Sequence, residues 1–217
     1  SRRRHTRSFH VTGVQTCALP ISTYSGLITL GANATIKASS GNIVLSNAGT
    51  ITGATYTLTL DGTATASSLA SIVGTTTGGI TKEGAGTWTL SGASTYTGTT
   101  AINNGTLKLG AAGGATNTPL GTVGSGTTVA SGATLDLNGY TLGTAEALTL
   151  SGTGYSSAGA LTNSSATDIT YSGLITLGAN ATIKASSGNI VLSNAGTITG
   201  ATYTLTLDGT EIGRAHV

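Results

Sequence analysis

One 41-residue segment occurs twice in this chain, and that repetition limits the folds the chain can adopt. Residues 23–63 (copy 1) and 170–210 (copy 2) are identical and lie 147 residues apart. A unit of 147 residues is therefore present once in full and begun a second time. Internal repetition is typical of solenoids, in which each unit buries its apolar face only against its neighbours.

Within the unit, short runs alternate a polar residue with an apolar one, and each run ends at Gly. Such runs cover residues 27–31, 57–62, 87–92, 134–139 and 148–152. Trp88 and Leu90 lie two positions apart, so an extended chain points both to one face. Asn103, Asn104 and Gly105 are typical of a tight turn between two such strands. No long window has a 3.6-residue period, which predicts an all-β fold.

Two all-β architectures fit short strands with frequent turns: a β-sandwich and a β-solenoid. A sandwich has one fixed core and gains nothing from repeating its own strands, whereas a solenoid adds coils indefinitely. We therefore predict a right-handed parallel β-helix, here a fragment, over residues 23–210. Gly permits its sharp corners, and like residues stack about 4.8 Å apart along its axis. With roughly 20–45 residues per repeat, this segment makes roughly four to nine coils.

The two ends of the chain differ in character from the middle. Val11 through Ile21 read as a translation of a common sequencing adapter, and Ile212 through Val217 read as the complementary adapter. Residues 1–22 and 211–217 are therefore predicted to be translated adapter, and residues 1–22 to be unstructured. The alternative is a basic N-terminal arm that binds nucleic acid or directs export, but no apolar stretch follows its arginines.

This interpretation of the ends removes several candidate site residues. All five Arg, all three His, the single Cys and the single Phe lie in the two ends. Zinc, thiol or histidine chemistry built on His5, His10, Cys17 or His216 is therefore excluded.

The two identical copies lie directly next to the two adapter-like ends. Their identity therefore also fits an assembly effect, in which one short library insert was merged with a genuine repeat array. Diverged copies in a long sequencing read would confirm such a merger, and identical copies within intact flanking gene sequence would refute it.

The charged residues within 23–210 do not predict a basic surface. This segment has four Lys against six Asp and Glu, a balance of −2. We therefore expect no binding to nucleic acid or to anionic lipid. It also lacks a run of about twenty apolar residues, so it is not expected to span a membrane as a helix.

Three aspartates could be considered as catalytic acids. Asp61 and Asp208 precede Gly, and Asp136 lies in a Leu-Asp-Leu-Asn-Gly run. Paired carboxylates hydrolyse glycosides, but an aspartate before Gly more commonly accepts backbone N–H bonds in a turn. Polysaccharide lyases and hydrolases need clustered acids or a basic residue, and residues 23–210 contain no Arg or His. We predict no catalytic residues, no metal site and no cofactor.

Other candidate features also have structural interpretations. Lys82 and Glu83 are expected to form a solvated turn pair, and the Gly-rich residues 110–114 lack the Lys and Ser/Thr of a phosphate-binding loop. No calcium-binding Gly-Gly-x-Gly-x-Asp nonapeptide occurs. Aromatic side chains could stack against sugars, but they are expected to cap or line coils instead. These aromatic residues are Trp88, Tyr96, Tyr140 and Tyr155.

Residues 78–107 resemble the autotransporter-associated β-strand repeat, the passenger-associated repeat of bacterial autotransporters. The residues that carry this resemblance are the run Gly78-Gly79-Ile80-Thr81-Lys82, Gly84, the run Gly86 to Gly92, the run Ser94 to Gly98, Thr100, Ile102, Asn103 and Gly105-Thr106-Leu107. The resemblance implies a secreted β-helix carried to the bacterial surface by its own C-terminal outer-membrane barrel. It also implies a repeat that aids export and folding rather than catalysis.

The expected function is therefore a structural stalk or scaffold of an adhesin-like autotransporter passenger, at the cell surface or outside the cell. Its partners would be the barrel and ligands on host or biofilm surfaces. Two alternatives remain: a polysaccharide-active β-helix enzyme, and a filamentous adhesin exported by a separate transporter. Convergent acids in a cleft would support the first, and the C-terminal domain of the full gene would decide the second.

Overall fold

The protein is described by a computed structural model over residues 9–16 and 23–209. Twenty short strands and one 3-10 turn, Tyr155–Ser157, make up its regular structure. The strands are β1 (Phe9–Thr16), β2 (Thr23–Tyr24), β3 (Ile28–Ala38), β4 (Val44–Leu45), β5 (Thr50–Thr52), β6 (Leu58–Gly62), β7 (Ser67–Leu69), β8 (Ile72–Gly74), β9 (Ile80–Lys82), β10 (Thr87–Leu90), β11 (Thr100–Ile102), β12 (Gly105–Leu109), β13 (Thr127–Val129), β14 (Ala133–Asp136), β15 (Leu148–Gly152), β16 (Leu161–Asn163), β17 (Ile169–Tyr171), β18 (Ile175–Ala185), β19 (Ile190–Leu192) and β20 (Leu205–Gly209).

The strands stack into three faces of a parallel solenoid, and every pairing between named strands is parallel. Face 1 contains the second half of β3, then β6, β9, β11, β13, β15 and the first half of β18. Face 2 contains β2, β4, β7, β10, β12, β14, β16, the second half of β18 and β20. Face 3 begins with the first half of β3, β5 and β8, and β17 and β19 occupy its position in later coils.

This architecture confirms the predicted parallel β-solenoid and excludes the antiparallel sandwich. Nine strand positions follow one another on face 2, which gives about eight turns between β2 and β20. The alternation in sequence explains the core: within each strand, every second side chain points inward. Leu107 pairs with Trp88 below and with Leu135 above, and Leu135 pairs with Leu161. These four inward side chains are at most 1% exposed.

The two identical copies do not lie on the same faces. The Ala-Thr-Ile-Lys-Ala segment of copy 1, residues 34–38, is on face 1, and the same segment of copy 2, residues 181–185, is on face 2. Six strand pairings on face 1 lead from Ala34 to Ile175, and Ala181 follows one face later. The 147-residue unit therefore contains about six and one-third coils, and copy 2 is rotated by one face relative to copy 1.

One part of the N-terminal end differs from its expected lack of structure. Strand β1 pairs in parallel with both halves of β3. Without β1, this edge of β3 would be unpaired, and an unpaired strand edge accepts an extended segment through main-chain hydrogen bonds. The origin of these residues as translated adapter stays a prediction. Residues 1–8, 17–22 and 210–217 lie outside the described part of the chain. Within that part, no helix has the length and apolarity required to cross a membrane.

Candidate functional site: a self-stacking coil with buried ionisable groups

Within residues 80–109, the later strands stack on the earlier ones. Strand β11 pairs with β9 on face 1, and β12 pairs with β10 on face 2. The first of these pairings joins Ile80 to Thr100 and the second joins Thr87 to Thr106, which are separations of 20 and 19 residues. On face 1 the coil from β9 to β11 is the shortest, because the other pairings join residues 21 to 27 positions apart. This segment therefore contains a complete coil together with the strands that it stacks upon.

Trp88 is the largest side chain in the core of this coil. It is 1% exposed, and its indole Nε1 donates a hydrogen bond to the carbonyl oxygen of Asp61 in the coil below, at 3.1 Å. A buried indole N–H needs such an acceptor, because an unpaired donor in an apolar core is costly. Leu90 and Leu107 pack on the same inward side and are 2% and 0% exposed. The alternation in residues 87–90 predicted this orientation correctly.

Lys82 is buried, so the expectation of a solvated turn pair with Glu83 was wrong. The Lys82 side chain is 0% exposed because it occupies an inward position of face 1, between Leu60 and Ile102. Its Nζ donates to the carbonyl oxygens of Glu83 at 2.7 Å, Gly84 at 2.7 Å and Asn104 at 3.0 Å. All three ammonium donors are therefore satisfied, and they join two successive turns at one corner of the solenoid.

Burial also affects the ionisation of Lys82. It lowers the pKa of the ammonium group to about 8, although the charges of Asp61 and Glu83 act in the opposite direction. The alternation Ile80-Thr81-Lys82 could have revealed the inward position, because it places Lys82 on the same side of the strand as Ile80.

The corner after β11 depends on specific turn residues. Asn103 Nδ2 donates to Glu83 Oε1 at 2.6 Å, and Asn104 Oδ1 accepts the backbone N–H of Gly105 at 2.7 Å. Gly105 has a φ of 66°, and a Cβ on it would lie 2.4 Å from the carbonyl oxygen of Gly84. Only Gly fits this left-handed and closely packed position. The tight turn predicted from Asn103-Asn104-Gly105 is therefore a corner that joins β11 on face 1 to β12 on face 2.

The three candidate aspartates lie at the ends of strands β6, β14 and β20, rather than in turns, and each accepts a backbone N–H group. Asp61 Oδ1 accepts from Gly62 at 2.6 Å, and Asp208 Oδ1 accepts from Gly209 at 2.8 Å. Asp136 Oδ1 accepts from Asn138 at 2.9 Å. Each is also paired with a Lys one coil earlier, at the same register position, a relation that sequence reasoning missed. These ion pairs are Lys37–Asp61 at 2.9 Å, Lys108–Asp136 at 3.3 Å and Lys184–Asp208 at 3.0 Å.

Asp136 lies beside a shallow groove on the outer side of face 2. The groove has a volume of about 490 Å³ and is lined mainly by Thr, including Thr87, Thr89 and Thr106. Asp136 Oδ2 accepts the hydroxyl of Ser164 at 2.6 Å in addition to its pair with Lys108. Its two oxygens are therefore engaged within the protein and do not point at one reacting atom. In the part of the chain that the structure describes, no group of three or more His, Cys, Asp or Glu could hold a metal ion.

The aromatic candidates divide into two groups. Trp88 and Tyr96 are 1% and 0% exposed and line the core, while Tyr140 and Tyr155 are partly buried. The Tyr96 hydroxyl bonds to Thr100 Oγ1 at 2.6 Å, and burial raises the pKa of the Tyr96 phenol. The structure does not bring these four rings together as one stacking surface.

Glu146 is a buried ionisable residue that sequence reasoning missed. Its side chain is 0% exposed, its Oε1 accepts from Thr127 Oγ1 at 2.9 Å, and its Oε2 has no partner among the described residues. Burial raises the pKa of Glu146 to about 7. The Tyr171 hydroxyl donates to the backbone oxygen of Glu146. Glu146, Leu148 and Leu150 alternate in sequence, so the period of two already placed Glu146 on the inward side.

These features together define a structural β-solenoid segment, whose polar groups hold the coils to one another. Residues 80–109 match the family model of the Passenger-associated-transport-repeat, so this self-stacking coil is a passenger repeat of the autotransporter type. No curated protein and no solved structure is significantly similar to the chain.

Proposed function

We propose that residues 23–209 are a non-catalytic stalk or scaffold of an autotransporter passenger, and that the coil at residues 80–109 is where its stack begins to form. The observation that carries this proposal is the pairing of β9 with β11 and of β10 with β12 inside the matched repeat. Two strand pairs form there without any contribution from another part of the chain.

Chain entropy favours this coil as the starting point. Closing a loop costs more as the loop lengthens, and contacts between residues close in sequence form earlier. Pairings over 19 and 20 residues therefore form ahead of those over 24 or 27 residues elsewhere in the solenoid. Once formed, the coil offers an open strand edge on each side, on which neighbouring coils add in turn.

The proposed function implies a cellular location and binding partners for residues 23–209. A passenger of this type is carried to the cell surface by a linked outer-membrane barrel, and it folds outside the membrane as it emerges. The solenoid then displays surfaces that bind ligands on host cells or in a biofilm. The aspartates give no support to a polysaccharide-active enzyme, because each is engaged by a backbone N–H group and by an ion pair within the protein. Export by a separate transporter remains the alternative to a linked barrel.

Refolding kinetics of two matched variants test the proposal. Leu107→Ala alters the repeat coil, and Leu135→Ala alters the next coil at the same position of face 2, where both leucines are 0% exposed. A substitution in the folding nucleus slows folding, whereas one elsewhere mainly accelerates unfolding. We expect Leu107→Ala to slow refolding and Leu135→Ala to accelerate unfolding, as measured by denaturant-jump kinetics. The opposite pattern would show that the stack begins elsewhere.

The role in export is tested with the same two variants fused to an outer-membrane barrel. The amount of protease-resistant passenger at the cell surface is expected to fall more for Leu107→Ala than for Leu135→Ala. Equal losses would mean that the repeat contributes only general stability and would contradict its role as the starting coil.

A further inference from the structure

The last coil of the described chain exposes a group of large apolar side chains. Val191 is 48% exposed, Ile198 39%, Tyr203 45% and Leu207 55%. All four belong to copy 2 and lie in its last coil, in or next to β19 and β20. We call this surface, formed by β19, residues 197–199 and residues 203–209, the open end. Among the described residues, β20 pairs only with β18.

Copy 1 shows what covers an identical surface. Its β4, β5 and β6 are paired on the upper side with β7, β8 and β9, which belong to residues 64–82. With this cover, Ile51 is 1% exposed and Leu60 is 0% exposed, although the same residues in copy 2 are Ile198 and Leu207. The structure thus contains both the covered and the uncovered form of one surface.

We infer that the open end is a docking surface for a solenoid coil with the sequence of residues 64–82, supplied by another repeat unit. This inference concerns recognition between units and goes beyond the structural role proposed above. The partner is a specific one, because the contacts within copy 1 place requirements on the backbone, the charge and the side-chain size of the incoming coil.

The backbone requirement comes from the hydrogen bonds across the covered surface. The N–H of Leu58 donates to the carbonyl oxygen of Gly79 at 3.0 Å, and the carbonyl oxygen of Leu60 accepts the N–H of Glu83 at 2.8 Å. Leu205 and Leu207 hold the same two positions at the open end. A coil that adds in parallel, with the register of residues 79–83, satisfies both groups.

The side-chain requirement is strictest where the incoming coil crosses the corner at Tyr56. A Cβ on Gly78 would lie 2.0 Å from the carbonyl oxygen of Tyr56, so the position above this corner must be Gly. Tyr203 occupies the same corner at the open end. The charge requirement comes from Asp61, whose carboxylate favours the charged form of the buried Lys82. Asp208 offers the same carboxylate to an incoming Lys.

A synthetic peptide of residues 64–90 added to the full chain tests the inference by hydrogen exchange with mass spectrometry. The full chain carries Thr206→Ser, so that fragments of copy 2 differ in mass from the identical fragments of copy 1. We expect the peptide to slow exchange in residues 203–209 by about tenfold or more, because it closes an edge that otherwise opens locally. The control peptide carries Gly78→Val, which removes the fit at the corner and is expected to give no protection.

A matched pair of variants locates the binding surface. Leu207→Asp places a charge on the inward side of β20, and Thr206→Asp places the same charge on the outward side one residue earlier. Protection by the peptide is expected to be lost in Leu207→Asp and retained in Thr206→Asp. The inference is overturned if the peptide gives no protection, if the Gly78→Val peptide protects equally, or if Leu207→Asp binds normally. Protection that rises with protein concentration in the absence of peptide would assign the surface to a second copy of the chain and would also overturn it.

A single-chain version avoids a separate peptide. In a chain that repeats residues 64–109 directly after Thr210, the exchange of residues 203–209 is expected to fall to the rate of residues 56–62 in copy 1. Persistent fast exchange in this extended chain would contradict the inference even if the peptide were insoluble. The proposal that the stack begins to form at residues 80–109 is independent of this result, because refolding rates test it.

Discussion

Copies 1 and 2 have identical sequences and different environments. Leu60 of copy 1 is 0% exposed, and its counterpart Leu207 of copy 2 is 55% exposed. Local conformation is nevertheless shared, since both copies form an 11-residue strand followed by the same ladder to the Leu-Thr-Leu-Asp-Gly strand. Sequence therefore sets the strands and their inward side chains, while the neighbouring coil sets how deeply those side chains are buried.

The copies also differ in their orientation around the solenoid axis. Because the unit contains about six and one-third coils, copy 2 repeats the surface of copy 1 on the next face. A surface feature that recurs once per unit would therefore point in three directions along a longer array. Rotation by one face leaves the stacking of coils intact, because all three faces use the same parallel ladder.

The largest expected difference between the copies is in core truncations. Leu60→Ala removes a fully buried side chain and is expected to lower the free energy of unfolding by about 2–5 kcal/mol. Leu207→Ala removes a half-exposed one and is expected to change it by less than about 0.5 kcal/mol. Denaturant unfolding of the two single variants measures this difference. Equal effects would show that the open end is covered in solution.

A buried carboxyl group lies next to the first strand of the coil that begins copy 2. Tyr171, the second residue of copy 2, donates its hydroxyl to the backbone of Glu146, whose pKa is raised to about 7 by burial. Because the folded pKa is raised, the native state binds the proton more tightly than the unfolded state. The contribution of Glu146 to stability is therefore highest below about pH 4.5, falls as the pH rises to about 7, and then stays constant.

Glu146→Gln removes this pH dependence. Between about pH 4.5 and 7, the unaltered protein is expected to lose about 2–3 kcal/mol more stability than the variant, because only the unaltered protein has the Glu146 carboxyl. Tyr171→Phe serves as the control, because it removes the hydroxyl contact and keeps the carboxyl, so the pH slope should persist. Unfolding free energies at pH 4.5, 6 and 8 provide the measurement, and a slope that survives in Glu146→Gln would refute the assignment.

The smallest expected difference concerns the paired aspartates. Burial raises the pKa of Asp61, but the hydrogen bonds from Lys37 and the Gly62 N–H outweigh burial, so this pKa lies below its ordinary value. Hydrogen bonds from the Lys184 side chain and from the Gly209 N–H lower the pKa of Asp208. Both contributions to stability are present above about pH 4 and are lost as the pH falls through the folded pKa.

The exposure of the two aspartates predicts which of them contributes more to stability. The Asp61 side chain is 20% exposed and the Asp208 side chain is 49% exposed. Solvent weakens an exposed ion pair. We expect Asp61→Asn to cost about 0.5–1 kcal/mol at pH 7 and to reduce the loss of stability in acid. Asp208→Asn should have a smaller effect on both. A larger effect at Asp208, seen in acid unfolding, would contradict this order.

Much of the fold was predictable from local pattern. The alternation in residues 87–90 correctly predicted Trp88 and Leu90 as inward side chains, and the repeated segment correctly predicted a solenoid rather than a sandwich. These predictions succeed because the period of two and the Gly corners are properties of the chain itself.

The polar interior was not predicted. Lys82 and Glu146 lie at inward positions, and reasoning from residue type alone placed Lys82 in solvent and passed over Glu146. The ion pair of Lys37 with Asp61 joins residues 24 positions apart, so it depends on coil length, which no short motif specifies. The difference in burial between the copies is also absent from their sequence, since it comes from residues 64–82.

Amide exchange in the two copies tests most directly the claim that stacking, rather than sequence, determines structure in this chain. Identical sequences have identical intrinsic exchange rates, and a single Thr-to-Ser label alters them only locally, so a large difference reports the structure. With Thr206→Ser as a mass label, residues 58–62 are expected to exchange at least about a hundredfold more slowly than residues 205–209, because only the former lie between two coils. Rates that agree within about twofold would contradict this claim.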